Sequence, residues 1–231
     1  MTITLITGAN KGLGFESARR LIELGHTVWV GARDTAAGTM AASELGARFV
    51  QLDVTDDASV DAAVATIRDS DGHIDVLINN AGIVGARTAP ADVTAADIRE
   101  VYETNVFGVV RMTHAFLPLL ELSANPVIVN VTSGLGSFTV TNDPTTFAST
   151  IQSVSYASSK SALTMITMQY AKALPDIRVN AVDPGYTATD FNGHRGTQTV
   201  EEGTHAIVRL ATIEGDGPTG TFQDAAGTVP W

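Results

Sequence analysis

Cysteine is absent from the 231 residues, which excludes disulfides and thiolate zinc sites and fits a reducing, cytoplasmic setting. Positive charge is scarce: 14 Lys and Arg stand against 25 Asp and Glu, a net charge of −11. No basic run is present, so nucleic acid is not an expected partner. No apolar run approaches the ~18 residues of a membrane span, and Arg111, His114 and Pro118 interrupt the best candidate. The first residues, "TITLITG", carry no basic leader and no cleavage site, so no signal peptide is expected. His26, His73, His114, His194 and His205 lack metal-ligand spacing, so no metal is expected either. Repeats, low-complexity tracts and linkers are missing. What remains reads as one soluble domain, residues 1–231, with an ordinary globular content of 44% hydrophobic residues.

Short β-rich runs alternate with helical patterns along the whole chain. Strands are predicted at Ile3–Ile6, Thr27–Val30, Arg48–Leu52, Val76–Ile78, Val127–Val131, Arg178–Val182 and Thr219–Phe222. Most are nearly continuous apolar runs rather than alternating ones, as expected of parallel strands buried on both faces. Between them, Phe15, Ala18, Leu21 and Ile22 follow helical spacing and stop at Gly25. "VTDDASVDAAVATIRDS" opens with Thr/Asp capping chemistry, and "TAADIREVYETNVFGVVRMTHAFLPLLEL" is long enough for one extended or kinked helix. The alternation argues for an α/β fold built on a doubly wound parallel sheet.

Two local patterns carry chemistry. "ITLITGANKGLG" puts Gly8, Gly12 and Gly14 where the first strand gives way to the first helix. Glycine suits a tight turn that a pyrophosphate must approach closely, and the helix N-terminus beyond it offers free N–H groups. The second pattern is "SYASSK", which places Tyr156 and Lys160 four positions apart in a chain with only three lysines. On a helix those side chains share a face, and an ammonium beside a phenol favours the phenolate.

Taken with "LDVTD" (Leu52–Asp56), "NNAG" (Asn79–Gly82), Asn105, "NVTS" (Asn130–Ser133) and "DPG" (Asp183–Gly185), these motifs follow one another in a familiar order. The chain resembles the short-chain dehydrogenase/reductases over essentially its whole length. "GANKG", "GARD" and the short end at Trp231 are similar to the carbonyl reductase-like members. The resemblance implies a single-domain Rossmann-type sheet of about seven strands flanked by helices, and a nicotinamide dinucleotide cofactor.

It also implies roles. Tyr156 is then the general acid that protonates a carbonyl oxygen, and Lys160 lowers its pKa and bonds the nicotinamide ribose. Ser133 hydrogen-bonds the substrate oxygen, and Asn105 holds a water that links Lys160 to solvent. Gly8, Asn10, Lys11, Gly12, Leu13 and Gly14 form the cofactor turn. Asp53 accepts from the adenine amino group beside Val54, while Asn80, Ala81 and Gly82 shape the adenosine wall. Pro184 and Gly185 turn beneath the nicotinamide, Thr187 contacts its carboxamide through the backbone, and Thr189 lies near the phosphates. Thr187 replaces the valine or isoleucine usual in the family.

The cofactor is expected to be NADP(H). After the second strand, "VWVGARD" places Ala32 where an NAD enzyme carries an acidic residue, and Arg33 follows. A guanidinium suits a 2′-phosphate, and Lys11 adds a second cation. The expected activity is reduction of a small-molecule ketone or aldehyde to an alcohol. NAD-dependent alcohol oxidation on the same site and a non-catalytic cofactor-binding regulator are the alternatives; retention of the Tyr/Lys pair favours an enzyme. Gly134–Val154 is longer than in many relatives and rich in turn formers, yet holds Phe138, Phe147 and Ile151. It is expected to lack regular structure, to have those apolar side chains covered, and to wall the substrate pocket, in a monomer or homodimer. His194 and Arg195, in "FNGHRG", face substrate or form a surface loop.

Overall fold

The apolar runs become strands that present opposite faces to two cores. On β1 (Ile3–Thr7), Ile6 joins one cluster while Ile3 and Leu5 join the other. On β5 (Val127–Val131), Val127, Val129 and Val131 join the first and Ile128 the second. A strand's side chains alternate across the sheet, so such strands read as uninterrupted hydrophobic sequence. The computed structural model describes residues 1–231. It adds β2 (Thr27–Ala32), β3 (Arg48–Gln51), β4 (Val76–Asn79), β6 (Arg178–Val182) and β7 (Phe222–Gln223). The seven form one sheet in the order β3-β2-β1-β4-β5-β6-β7, and every strand pair is parallel.

Helices cover both faces. α1 (Gly12–Glu23) and α2 (Thr35–Leu45) bury Ala18, Leu21, Ala41 and Ala42 on one side. α3 (Asp57–Asp71) buries Val60, Ala63 and Ile67 on the other. The expected cap of α3 is in place, with Asp56 accepting from Ala58 N at 3.0 Å; Asp34 caps α2 in the same way, accepting from Ala37 N at 2.9 Å. Chain direction reverses its winding between β1 and β4, so the crevice beyond their carboxyl ends is where such a sheet binds ligands.

Three elements differ from the sequence reading. The long helix is continuous but not uniform: α4 (Ala95–Tyr102) passes through a π-turn at Glu103–Phe107 into α5 (Gly108–Leu120). Asn105 sits in that turn. The last strand begins later than Thr219, because Asn180 Oδ1 takes the Thr221 amide (3.1 Å) and hydroxyl (2.8 Å) out of the ladder. The segment from Gly134 to Val154 contains regular turns instead of an irregular loop. α6 (Phe138–Asn142) is capped by Ser137, which accepts from Val140 N at 3.0 Å, and a 3₁₀ turn at Phe147–Thr150 is capped by Thr146. Here Ser and Thr side chains cap short helices rather than forming isolated turns. Phe138, Phe147 and Ile151 are not covered; they are 72%, 60% and 38% exposed. No helix is long and apolar enough to cross a membrane.

Candidate active site

Ser133 follows β5 and begins a 3₁₀ turn, where its Oγ accepts from Leu135 N at 3.2 Å. Tyr156 and Lys160 lie in the first turns of α7 (Val154–Ala173). Helical spacing puts both against the end of β5: Lys160 Nζ donates to Val131 O at 2.8 Å and stands 5.6 Å from the centre of the Tyr156 ring. Lys160 is 4% exposed. Ser133, Tyr156 and Lys160 open into one cavity of about 1290 Å³.

Asn105 is fully buried and does not reach the cavity surface. Its Oδ1 accepts from Ile83 N at 2.8 Å, and its Nδ2 donates to Ile83 O at 2.9 Å and to Ser159 Oγ at 3.0 Å. The side chain is therefore committed to protein partners, tying the end of the "NNAGI" stretch to α7.

Burial dominates the electrostatics. It pushes the Tyr156 phenol above its ordinary value, the Asp183 charge adds to the rise, and the Ser133 hydroxyl opposes it. Burial also lowers the Lys160 ammonium to about 8, against the pull of Asp183. Desolvation of both groups favours their neutral forms. At neutral pH Tyr156 holds its proton.

The glycine turn closes the other end of the same cavity. Gly8 has φ +63°, and a Cβ there would stand 3.1 Å from Ala81 Cα. At Gly14 a Cβ would meet Asn80 Nδ2 at 2.6 Å, so this glycine packs the turn onto "NNAG" without lining the cavity. α1 starts with no side-chain cap and no acidic residue in its first turn, leaving its amides and dipole open to an anion. Asn10, Lys11, Gly12, Leu13, Asp53, Val54, Asn80, Ala81, Gly82, Pro184, Gly185, Thr187 and Thr189 line the remaining wall, with Arg33 exposed at the rim. Burial works against ionisation of Asp53, but the amide and hydroxyl of Thr55, then the charges of Arg33 and Arg111, hold its carboxyl below the usual range. This combination fits an extended dinucleotide: open amides and cations at one end, Tyr156 and Lys160 at the other.

The Thr187 hydroxyl has a use that valine or isoleucine lacks. It donates to Pro184 O at 3.0 Å and accepts from Gln198 Nε2 at 3.1 Å, holding the Pro184–Gly185 turn. Three residues escaped the sequence reading. Phe191 places its ring edge-on to Tyr156, centroids 5.7 Å apart. Tyr186 stacks against Phe147. Asp183 lies inside the "DPG" motif and beside the Tyr156–Lys160 pair. It directly follows β6 (Arg178–Val182).

Residues 2–199 match the model of the short chain dehydrogenase family. The chain belongs to that family. It is 40% identical to the short-chain dehydrogenase anuI of Penicillium roqueforti over 223 residues, covering 91% of this chain and 88% of that one. It is 31% identical to (+)-neomenthol dehydrogenase of Capsicum annuum over 294 residues, covering 94% of each. The structure of NADPH-bound carbonyl reductase from chicken fatty liver superposes with a TM-score of 0.87 at 28% identity, over 100% of both chains. The chain is thus an oxidoreductase of the short-chain type, an enzyme of small molecules whose family binds nicotinamide cofactors.

Proposed function

We propose that the chain is an NADP(H)-dependent carbonyl reductase, converting a ketone or aldehyde to an alcohol. The observation that carries the reading is the meeting of Tyr156, Lys160 and Ser133 with the glycine turn in one cavity. NADPH bound along it supplies the hydride. Tyr156 gives its proton to the carbonyl oxygen, and its raised affinity for that proton suits an acid that must be loaded at neutral pH. Ser133 donates to the same oxygen and stabilises the charge that develops there. Lys160, held by the Val131 carbonyl, keeps a positive charge beside the phenol and would bond the nicotinamide ribose. Asn105 acts by fixing the wall next to Lys160: a Cβ on Gly82 would stand 3.3 Å from Asn105 Oδ1 and 3.6 Å from Lys160 Nζ.

Preference for NADP(H) rests on Arg33 and Lys11, and on Asp34. Asp34 caps α2 and does not line the cavity, so it is not the acidic residue that would take a ribose 2′-hydroxyl there. The likeness to the NADPH-bound carbonyl reductase supports the same choice. Following NADPH and NADH oxidation by the purified protein across a panel of ketones and aldehydes tests the proposal. Turnover of carbonyls with NADPH is expected; turnover of alcohols with NAD alone would contradict it.

A further inference from the structure

Arg111 puts a charge into the apolar run of α5, and nothing in the chemistry above uses it. Its side chain is only 21% exposed, and its guanidinium makes three contacts. Nη1 donates to the Val54 carbonyl at 2.6 Å. Nη2 donates to Glu103 Oε1 at 3.1 Å, and Nε donates to Oδ1 of Asp57, the first residue of α3. Arg111, Glu103 and Asp57 do not line the cavity, but Val54 does, with Asp53 and Thr55 on either side.

The fold supplies each partner. Glu103 opens the π-turn that carries Asn105. Such a turn inserts one extra residue, so positions 103 and 111, eight apart, meet as positions seven apart do on a regular helix. Gly108 lets α5 come close to the wall: a Cβ there would stand 2.9 Å from Val54 Cγ2 and 3.2 Å from Val54 O. Asp53 is set from the other side, its amide donating to Ser59 Oγ at 2.9 Å. Its Oδ1 accepts from the Thr55 amide at 2.9 Å and from the Thr55 hydroxyl at 2.7 Å. Oδ2 remains for a ligand.

We propose that Arg111 is a positioning residue for the adenosine half of the dinucleotide: from behind the cavity wall it fixes the turn at residues 52–55 that presents Asp53 and Val54. This inference rests on the NADP(H) reading above, in which those two residues meet the adenine.

A guanidinium suits the task because its fork is planar and rigid. Two carboxylates orient it, and the third arm is then aimed at one carbonyl. Glu103 and Asp57 are 43% and 81% exposed, so the ion pairs add little to stability; what they supply is direction. Without the guanidinium the Val54 carbonyl loses its partner and the turn must be ordered by the ligand, which costs affinity. That cost falls on ligands that carry adenosine.

The test compares the full wild-type chain with Arg111→Met, which keeps an apolar stem and loses the donors. Each is titrated by calorimetry with NADPH and with adenosine 2′,5′-bisphosphate, a fragment that fills the adenosine half alone. Both ligands should bind about tenfold more weakly to the variant, the scale of one hydrogen bond to a charged group. In steady state, KM for NADPH should rise by the same factor while KM for the carbonyl stays within about twofold, a split that loosened helix packing would not give. A folded Arg111→Met that binds the fragment as the wild type does overturns the proposal, and so does an equal rise in both KM values. If Arg111→Met does not fold, Arg111→Lys takes its place. An ammonium keeps the charge but cannot reach all three acceptors, so fragment affinity should still fall by about threefold; wild-type affinity overturns the proposal. A wild type that binds the fragment but reduces no carbonyl sinks the reductase reading and leaves this inference to the fragment titration. An active wild type beside an unweakened variant sinks this inference alone.

Discussion

The ring of Phe147 lies 5.4 Å from that of Tyr186, tilted by 32°. The contact joins the segment between Ser133 and Tyr156 to the segment after Pro184–Gly185, across the mouth of the cavity that both line. Phe147 is otherwise 60% exposed, so this stack is its main apolar partner. Aromatic pairs of this kind are worth about 0.5–1.5 kcal/mol beyond the area they bury. Both rings line the cavity and remain partly exposed.

Phe147→Ala, and shortening of Thr139–Thr150, should therefore change specificity more than folding. The expected result is a loss of about three- to tenfold in kcat/KM for bulky aryl ketones, with small aldehydes nearly unaffected, in line with the energy of one lost hydrophobic contact. Steady-state kinetics on paired substrates makes the measurement. Equal effects on large and small carbonyls would show that the segment does not shape the pocket.

Lys160 is expected to set the pH range of the proposed reduction. Burial lowers its ammonium to about 8, so it is charged below that pH and neutral above it. Tyr156 is raised and does not limit the alkaline side. With saturating NADPH, kcat should be level near neutrality and fall as pH rises through about 8, where the cation is lost. A profile that stays flat to about pH 10 would contradict this assignment.

Cofactor choice is expected to rest on Arg33 and Lys11. Lys11 pairs with Asp190 at 3.1 Å, but both side chains are more than half exposed, so the pair holds Lys11 weakly and leaves it available to a phosphate. Arg33→Ala should reduce the NADPH/NADH ratio of kcat/KM by about ten- to a hundredfold, the loss of a charge-assisted, two-pronged contact. Binding measured by quenching of intrinsic fluorescence gives the same comparison without turnover. An unchanged ratio would remove the basis for NADP(H).

Much of this architecture is written in short-range patterns. Interior parallel strands are largely apolar on both faces, so β1, β4, β5 and β6 stand out as nearly continuous runs, and Asp56 announces the helix it caps. β7 was displaced because two residues of edge strand carry no periodicity, and the partner that trims it, Asn180, lies 41 positions away from Thr221. The π-turn at Asn105 leaves no mark either, since its residues still read as helix. Tyr156, Lys160 and the glycine turn were legible because each is a motif with fixed spacing. Asp183, Phe191 and Tyr186 were not, because they act through contacts that the fold assembles from separate segments.

Tyr156 is expected to donate the proton in the reaction run by this cavity. The direct measurement is kcat of Tyr156→Phe in NADPH-dependent carbonyl reduction, alongside its affinity for NADPH. The variant keeps the ring that Phe191 packs against and loses only the hydroxyl. Turnover is expected to fall by about 10²–10⁴-fold, the usual contribution of positioned acid catalysis, with cofactor affinity nearly unchanged. A variant that retains most of the wild-type kcat would contradict the account.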